Sequence, residues 1–182
     1  MKYITITFLF FMFSFLSSCN NNLVKNYQAN EPKLDIRQYL NGKIKAYGIL
    51  ENRNGEITRR FTVDMIGTWQ GNKGKLEEFF IFDDGEETSR IWYIEFTDEH
   101  NFTAKAADVI GHATGSQYGN ALQMAYVLDL VIDKEKKLKY KVKLDDWMYL
   151  IDENILVNKS TIKKFGISFA KLTIFFQKLN NE

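Results

Sequence analysis

Cys19 is the only cysteine in the 182-residue chain. That excludes an internal disulfide and any thiolate metal cluster. The two histidines, His100 and His112, have no second His or Cys at ligand spacing, so no metal is expected. His100 lies in a charged turn and reads as solvated. Charge of one sign is missing too: 24 Lys and Arg stand against 23 Asp and Glu, with no basic patch to recruit nucleic acid. The glycines at 111, 115 and 119 do not open a helix, so they make no phosphate-cradling loop. Ser116 lacks the second glycine of a nucleophile elbow. Proline occurs once, at Pro32, and there is no long amphipathic helix. The only long apolar run is at the N-terminus.

That run carries the clearest signal. Met1-Lys2 starts it, Ile4 to Leu16 is nearly all apolar, and Leu16-Ser17-Ser18 leads into Cys19. This is the layout of a secretory signal peptide. It is too short for a comfortable membrane span of ~20 residues. Its end resembles the bacterial lipobox. The resemblance implies cleavage before Cys19 and diacylglycerol on the thiol, followed by acylation of the new amine. An ordinary cleaved signal and a retained N-terminal helix are the alternatives. Asn20 is not the Asp that resembles an inner-membrane retention signal, which favours the outer membrane.

Residues 1–18 therefore read as a lipoprotein signal peptide, 19–33 as a polar tether and 34–182 as one domain. Leu34 to Leu40 has the spacing of a short helix, ended by Asn41-Gly42. Strand patterns follow, separated by turn residues. They cover 43–51, 57–69, 76–82, 90–97, 102–108, 121–132, 138–144, 147–151, 155–162 and 170–177. In the second, Phe61, Val63, Met65 and Trp69 share one face, and Arg60, Thr62 and Asp64 the other. The stretch 110–120 reads as a glycine-rich connection that lets backbones approach closely or a barrel strand bend. About nine or ten short strands predict an all-β, antiparallel up-and-down barrel, which leaves no free edge. A two-sheet sandwich is the runner-up. A transmembrane barrel is disfavoured by the charged face of Lys139, Lys141 and Lys143.

Several motifs carry a family likeness: Asn41-Gly42, Thr58-Arg59-Arg60-Phe61, Gly67-Thr68-Trp69, Phe82-Asp83-Asp84-Gly85, Gly115 with Gly119-Asn120-Ala121, Asp145-Asp146-Trp147-Met148-Tyr149 and Phe165-Gly166. Over residues 34–178 the chain resembles the DUF3833 family of small bacterial lipoproteins. The resemblance implies a lipocalin-like fold, an envelope location and no assigned activity. It also implies association with genes for fatty-acid modification, hence a lipid ligand.

The candidate chemistry lies in polar residues embedded among aromatic strands. Arg60 precedes Phe61, and Arg90 shares a face with Trp92, Ile94 and Phe96. Glu78 shares one with Leu76, Phe80 and Phe82, and Tyr126 follows Met124 on an aliphatic face. One reading is an arginine at the end of an apolar cavity, holding a carboxylate or phosphate head. The other is an internal ion pair such as Arg90 with Glu78, inside a barrel filled by its own side chains. Asp145 and Asp146 are adjacent, so on a strand they point to opposite faces. They read as turn residues that cap backbone amides before Trp147. The leading expectation is a lipid-anchored, periplasm-facing barrel without a cofactor, binding a hydrophobic or amphiphilic ligand such as a fatty acyl group. The alternatives are an interaction protein with a filled core and an enzyme using Asp145, Asp146 or Asp108 as acid or base.

Overall fold

A computed structural model describes residues 23–133 and 138–179. Ten antiparallel strands close into a barrel in which each strand pairs with its sequence neighbours and the first pairs with the last. They are β1 (Gly42–Asn52), β2 (Ile57–Gln70), β3 (Lys73–Phe82), β4 (Glu87–Phe96), β5 (Asn101–Lys105), β6 (Ala113–Tyr118), β7 (Ala121–Asp133), β8 (Leu138–Leu150), β9 (Ile155–Lys164) and β10 (Ile167–Lys178). Closure comes from the ladder between β1 and β10, which runs from Ile44 opposite Lys178 to Asn52 opposite Ala170.

Alternation decides which residues face inward. Phe61, Val63 and Met65 on β2, Trp92, Ile94 and Phe96 on β4, and Leu122, Tyr126 and Leu128 on β7 are buried in one core. The short helix expected at 34–40 forms as α1, Ile36–Tyr39, with Asp35 as its N-cap. It closes one end of the barrel. Its Ile36 N–H donates to Gln117 Oε1 at 3.1 Å, and the Tyr39 hydroxyl donates to the Asn154 carbonyl at 2.9 Å. Leu34, Ile36 and Leu40 join the core from that end.

Four local expectations are corrected. The stretch 110–120 contains a strand, β6. Gly115 lies opposite Phe102, and a Cβ there would stand 2.2 Å from the ring's Cζ. Its lack of a side chain makes room for that ring inside the barrel. Next, 138–144 and 147–151 are one strand, β8, and Asp145-Asp146 is its middle and not a turn. Alternation continues through both aspartates because each finds a partner on its own face.

The third correction concerns the tether. From Leu23 on, the segment packs against the barrel. A 3-10 helix, Leu23–Tyr27, buries Val24 against Tyr118 and Ala121. Tyr27 sets its ring 5.6 Å from that of Tyr149. Gly119 sits so close beneath it that a Cβ would lie 1.6 Å from the Tyr27 carbonyl oxygen. His100, expected in solvent, stacks on Tyr118 with centroids 4.1 Å apart. Cys19 lies outside the described residues.

Candidate functional site

The barrel is hollow. A cavity of about 1070 Å³ runs from α1, where Ile36 and Leu40 form its floor, to the opposite end, where Leu50, Arg59, Phe82, Glu86, Leu130 and Leu172 line it. That is slightly above the usual range for small-molecule sites, about 300–1,000 Å³. The chain has fifteen phenylalanines, enough to fill a barrel of this size if they all faced inward. Much of that aromatic volume is elsewhere: five of the fifteen lie between residues 8 and 15, and Phe79, Phe165, Phe169 and Phe175 are exposed on the barrel.

A polar belt crosses the apolar interior. On β3 and β4, Glu78 and Arg90 are direct cross-strand partners, and Arg90 Nε donates to Glu78 Oε2 at 2.7 Å. Arg90 Nη1 lies 3.6 Å from Asp108 Oδ2. The guanidinium also sits 5.0 Å from the Trp92 ring centroid. Burial works against its charge, but Glu78 foremost, with Tyr126 and Asp108, together outweigh that and hold the group protonated more firmly than usual. The internal ion pair is thus formed, and Arg90 is committed to it.

The second half of the belt lies on β7, β8 and β9. Trp92 meets Tyr126 edge-on, with centroids 5.4 Å apart. The Tyr126 hydroxyl donates to Asp146 Oδ2 at 2.9 Å. Asp146 pairs across the strand with Ser160, whose hydroxyl donates to Asn158 Oδ1 at 2.7 Å. Asp146 Oδ1 is buried and has no donor. Burial pushes the Asp146 carboxyl up to about 6, against the opposing pull of Ser160, Tyr126 and Arg90. Burial, and then the charge on Asp146, hold the Tyr126 hydroxyl well above its ordinary value.

Glu78, Arg90, Trp92 and Tyr126 therefore lie together on the cavity lining. Arg60 does not. Its side chain points outward, 70% exposed, with Nε 3.0 Å from Asp83 Oδ2. Arg59 lines the cavity instead, over the Phe82 ring and bonded to Asp84 and Glu86. Counting back in twos from inward-facing Phe61 reaches Arg59, so the signal was present in the sequence. Asp146, whose sequence context reads as a turn, lies within β8 and lines the cavity. Asp145 faces outward and accepts from Gln123 at 2.8 Å. The carboxylates weighed as an acid-base set are thus divided: Asp145 is outside, Asp146 is in the belt, and Asp108 is at the wall beside Arg90.

The wall is incomplete near that point. β5 ends at Lys105 and pairs with β4 only from Tyr93 to Phe96. Above it, Asp108 and Ile110 attach to β7 through the bonds Asp129 N to Asp108 O and Ile110 N to Val127 O. Outward-facing Ile91 and Tyr93 line the cavity together with Lys105 and Ala107. The cavity therefore reaches the surface along this seam as well as at the end opposite α1.

Among solved structures, the fold resembles the S-type phycobiliprotein lyase CPES from Guillardia theta. The TM-score is 0.57 at 8% identity, over 81% of this chain and 91% of that one. It also resembles EF1p2_mFAP2b bound to DFHBI, with a TM-score of 0.42 at 10% identity, over 78% and 95% of the two chains. At such identities the first likeness is one of fold. No protein of curated function matches the sequence. The profile of DUF3833, a protein family of unknown function, matches residues 13–178, and the chain belongs to that family.

Proposed function

We propose that this protein is a lipid-anchored binding protein of the bacterial cell envelope that holds a small hydrophobic or amphiphilic molecule, such as one bearing a fatty acyl group, inside its barrel. The observation that carries this reading is the hollow interior, lined by Phe61, Phe80, Leu122, Met124, Leu128 and Leu144 around a narrow polar belt. A cavity of this size and lining favours apolar burial at about 25 cal/mol per Å². The divided carboxylates lend no support to the acid-base reading.

The anchor rests on the lipobox-like run ending at Cys19. On this reading the chain faces the periplasm, in the outer membrane in preference to the inner. Three residues, Asn20 to Asn22, lie between Cys19 and Leu23, so the chain spans at most ~14 Å from one to the other. The 3-10 helix packs beside the β6–β7 turn, at the α1 end of the barrel. Acyl chains on Cys19 would therefore hold that closed end near the bilayer, with the open end of the cavity away from it.

Native mass spectrometry after gentle purification tests the binding reading. The expected result is a bound apolar molecule, or uptake of Nile red by the emptied barrel. A barrel that stays empty and takes up neither Nile red nor any C12 amphiphile overturns it.

A docking role draws on a separate observation. Tyr47 on β1 lies opposite Phe175 on β10, and both are exposed on the outer wall near exposed Phe79 and Ile81. A cross-linked partner lost on replacing Tyr47 and Phe175, but kept on replacing Arg90 and Trp92, would favour it.

A further inference from the structure

The polar belt constrains the head of the ligand. Among the described residues deep in the cavity, the cationic group is Arg90, already bound to Glu78 and near Asp108. Glu78 and Asp146 contribute acids to the same belt, so acids outnumber bases there. A carboxylate or phosphate head would meet Arg90 only by displacing Glu78, and would then lie among like charges. Arg59 is the other arginine on the lining. Its Nε is unpaired, but its Nη2 already contacts Asp84 and Glu86, and it lies at the open end.

The unmet demand inside the belt is for a donor. Asp146 is 5% exposed, lines the cavity, and leaves Oδ1 without a partner. Of the two neighbouring hydroxyls, that of Tyr126 donates to Oδ2 and that of Ser160 gives its single proton to Asn158. Asp108 Oδ1, on the same lining, is also buried without a donor. A buried acceptor left in this condition costs the protein free energy that a ligand's O–H or N–H can recover. Directly beside Asp146, Tyr126 and Trp92 present aromatic faces, with Met124, Leu144 and Met148 adjacent. They suit the first methylenes of an attached chain.

We propose that the molecule held in this barrel is an amphiphile whose polar end is a hydrogen-bond donor, a hydroxyl or an amine, received by Asp146, and that free carboxylates are discriminated against. This rests on the binding reading above and narrows it to a head-group chemistry.

The test is a matched C12 series, 1-dodecanol, dodecylamine and dodecanoate, each titrated below its micelle threshold against delipidated protein at pH 7.5. Nile red displacement reports binding. The expected result is that dodecanol and dodecylamine bind at least tenfold more tightly than dodecanoate. Asp146→Ala should bring all three within about threefold of one another. Asp146→Asn keeps the side-chain shape and an acceptor for Tyr126, and serves if the alanine variant does not fold. It should lose the preference for dodecylamine over dodecanoate. Dodecanoate binding as tightly as the other two to the parent protein overturns the inference. So does a preference that survives both substitutions. In either case Nile red still binds and the carrier reading stands. If Nile red and all three probes fail to bind, both readings fall together.

Discussion

Tyr126 and Asp146 are diagonal neighbours on adjacent strands, and a 2.9 Å hydrogen bond from the phenol to the carboxylate joins them inside the barrel. Their direct cross-strand partners are Leu144 and Met124. The bond therefore depends on the register of β7 against β8, and a slip of one strand by one residue would put the two groups on opposite faces of the sheet.

This pair makes stability depend on pH. The Asp146 carboxyl titrates at about 6 in the fold against 3.8 when unperturbed. The folded state thus binds a proton that the unfolded state has lost, and stability falls as pH rises between about 4 and 6. The groups facing Asp146 are Tyr126 on β7, Arg90 on β4 and Ser160 on β9, with Asp145 adjacent on its own strand. At 1.36 kcal/mol per pH unit, ionisation costs the fold roughly 3 kcal/mol. Asp146→Asn should remove most of that cost. The difference in unfolding free energy between parent and variant, measured in urea from pH 4 to 8, should grow in favour of the variant as pH rises. A flat difference would refute the account.

Replacing Glu78 by Gln should be strongly destabilising. It leaves the buried Arg90 guanidinium with Asp108 Oδ2, 3.6 Å away, as its carboxylate contact. Breaking a buried pair from one side costs about 3–5 kcal/mol, whereas replacing both members by apolar groups is often neutral. The double variant Glu78→Leu, Arg90→Met should regain most of the loss, as read by urea midpoints. Equal instability of the single and double variants would show that the pair itself is not what matters.

Gly115→Ala should cost about 1–3 kcal/mol, because its Cβ would fall 2.2 Å from Phe102 Cζ. Combined with Phe102→Leu, the loss should be smaller than the sum of the two single losses. Additive losses in a thermal unfolding series would mean the ring does not need that space.

Cys19→Ser should abolish incorporation of radiolabelled palmitate and leave the protein unprocessed or in the soluble fraction of a bacterial host. Normal membrane fractionation of the variant would remove the anchor from the proposal.

The two-residue period of the strands was enough to predict the barrel and most of its lining. It put Trp92, Ile94 and Phe96 on one face with Arg90, and Glu78 with Phe80 and Phe82, and these residues do face inward. Local pattern failed where the deciding partner was remote. β6 holds Gly115 and reads as a connection until Phe102 is seen lying over it. Residues 23–33 read as solvated polar chain until Val24 and Tyr27 find Tyr118 and Tyr149. Arg60 stands next to Phe61 in the chain, but side chains alternate, so it faces out, and Arg59 is the inward neighbour.

The strand period, most turns and most of the inward set are legible in the chain, because they depend on residues one or two positions apart. The hollow interior and the unmet acceptor of Asp146 inside it arise only when the strands assemble. Both follow from closing ten strands at one register, which sets the circumference independently of the side chains that fill it.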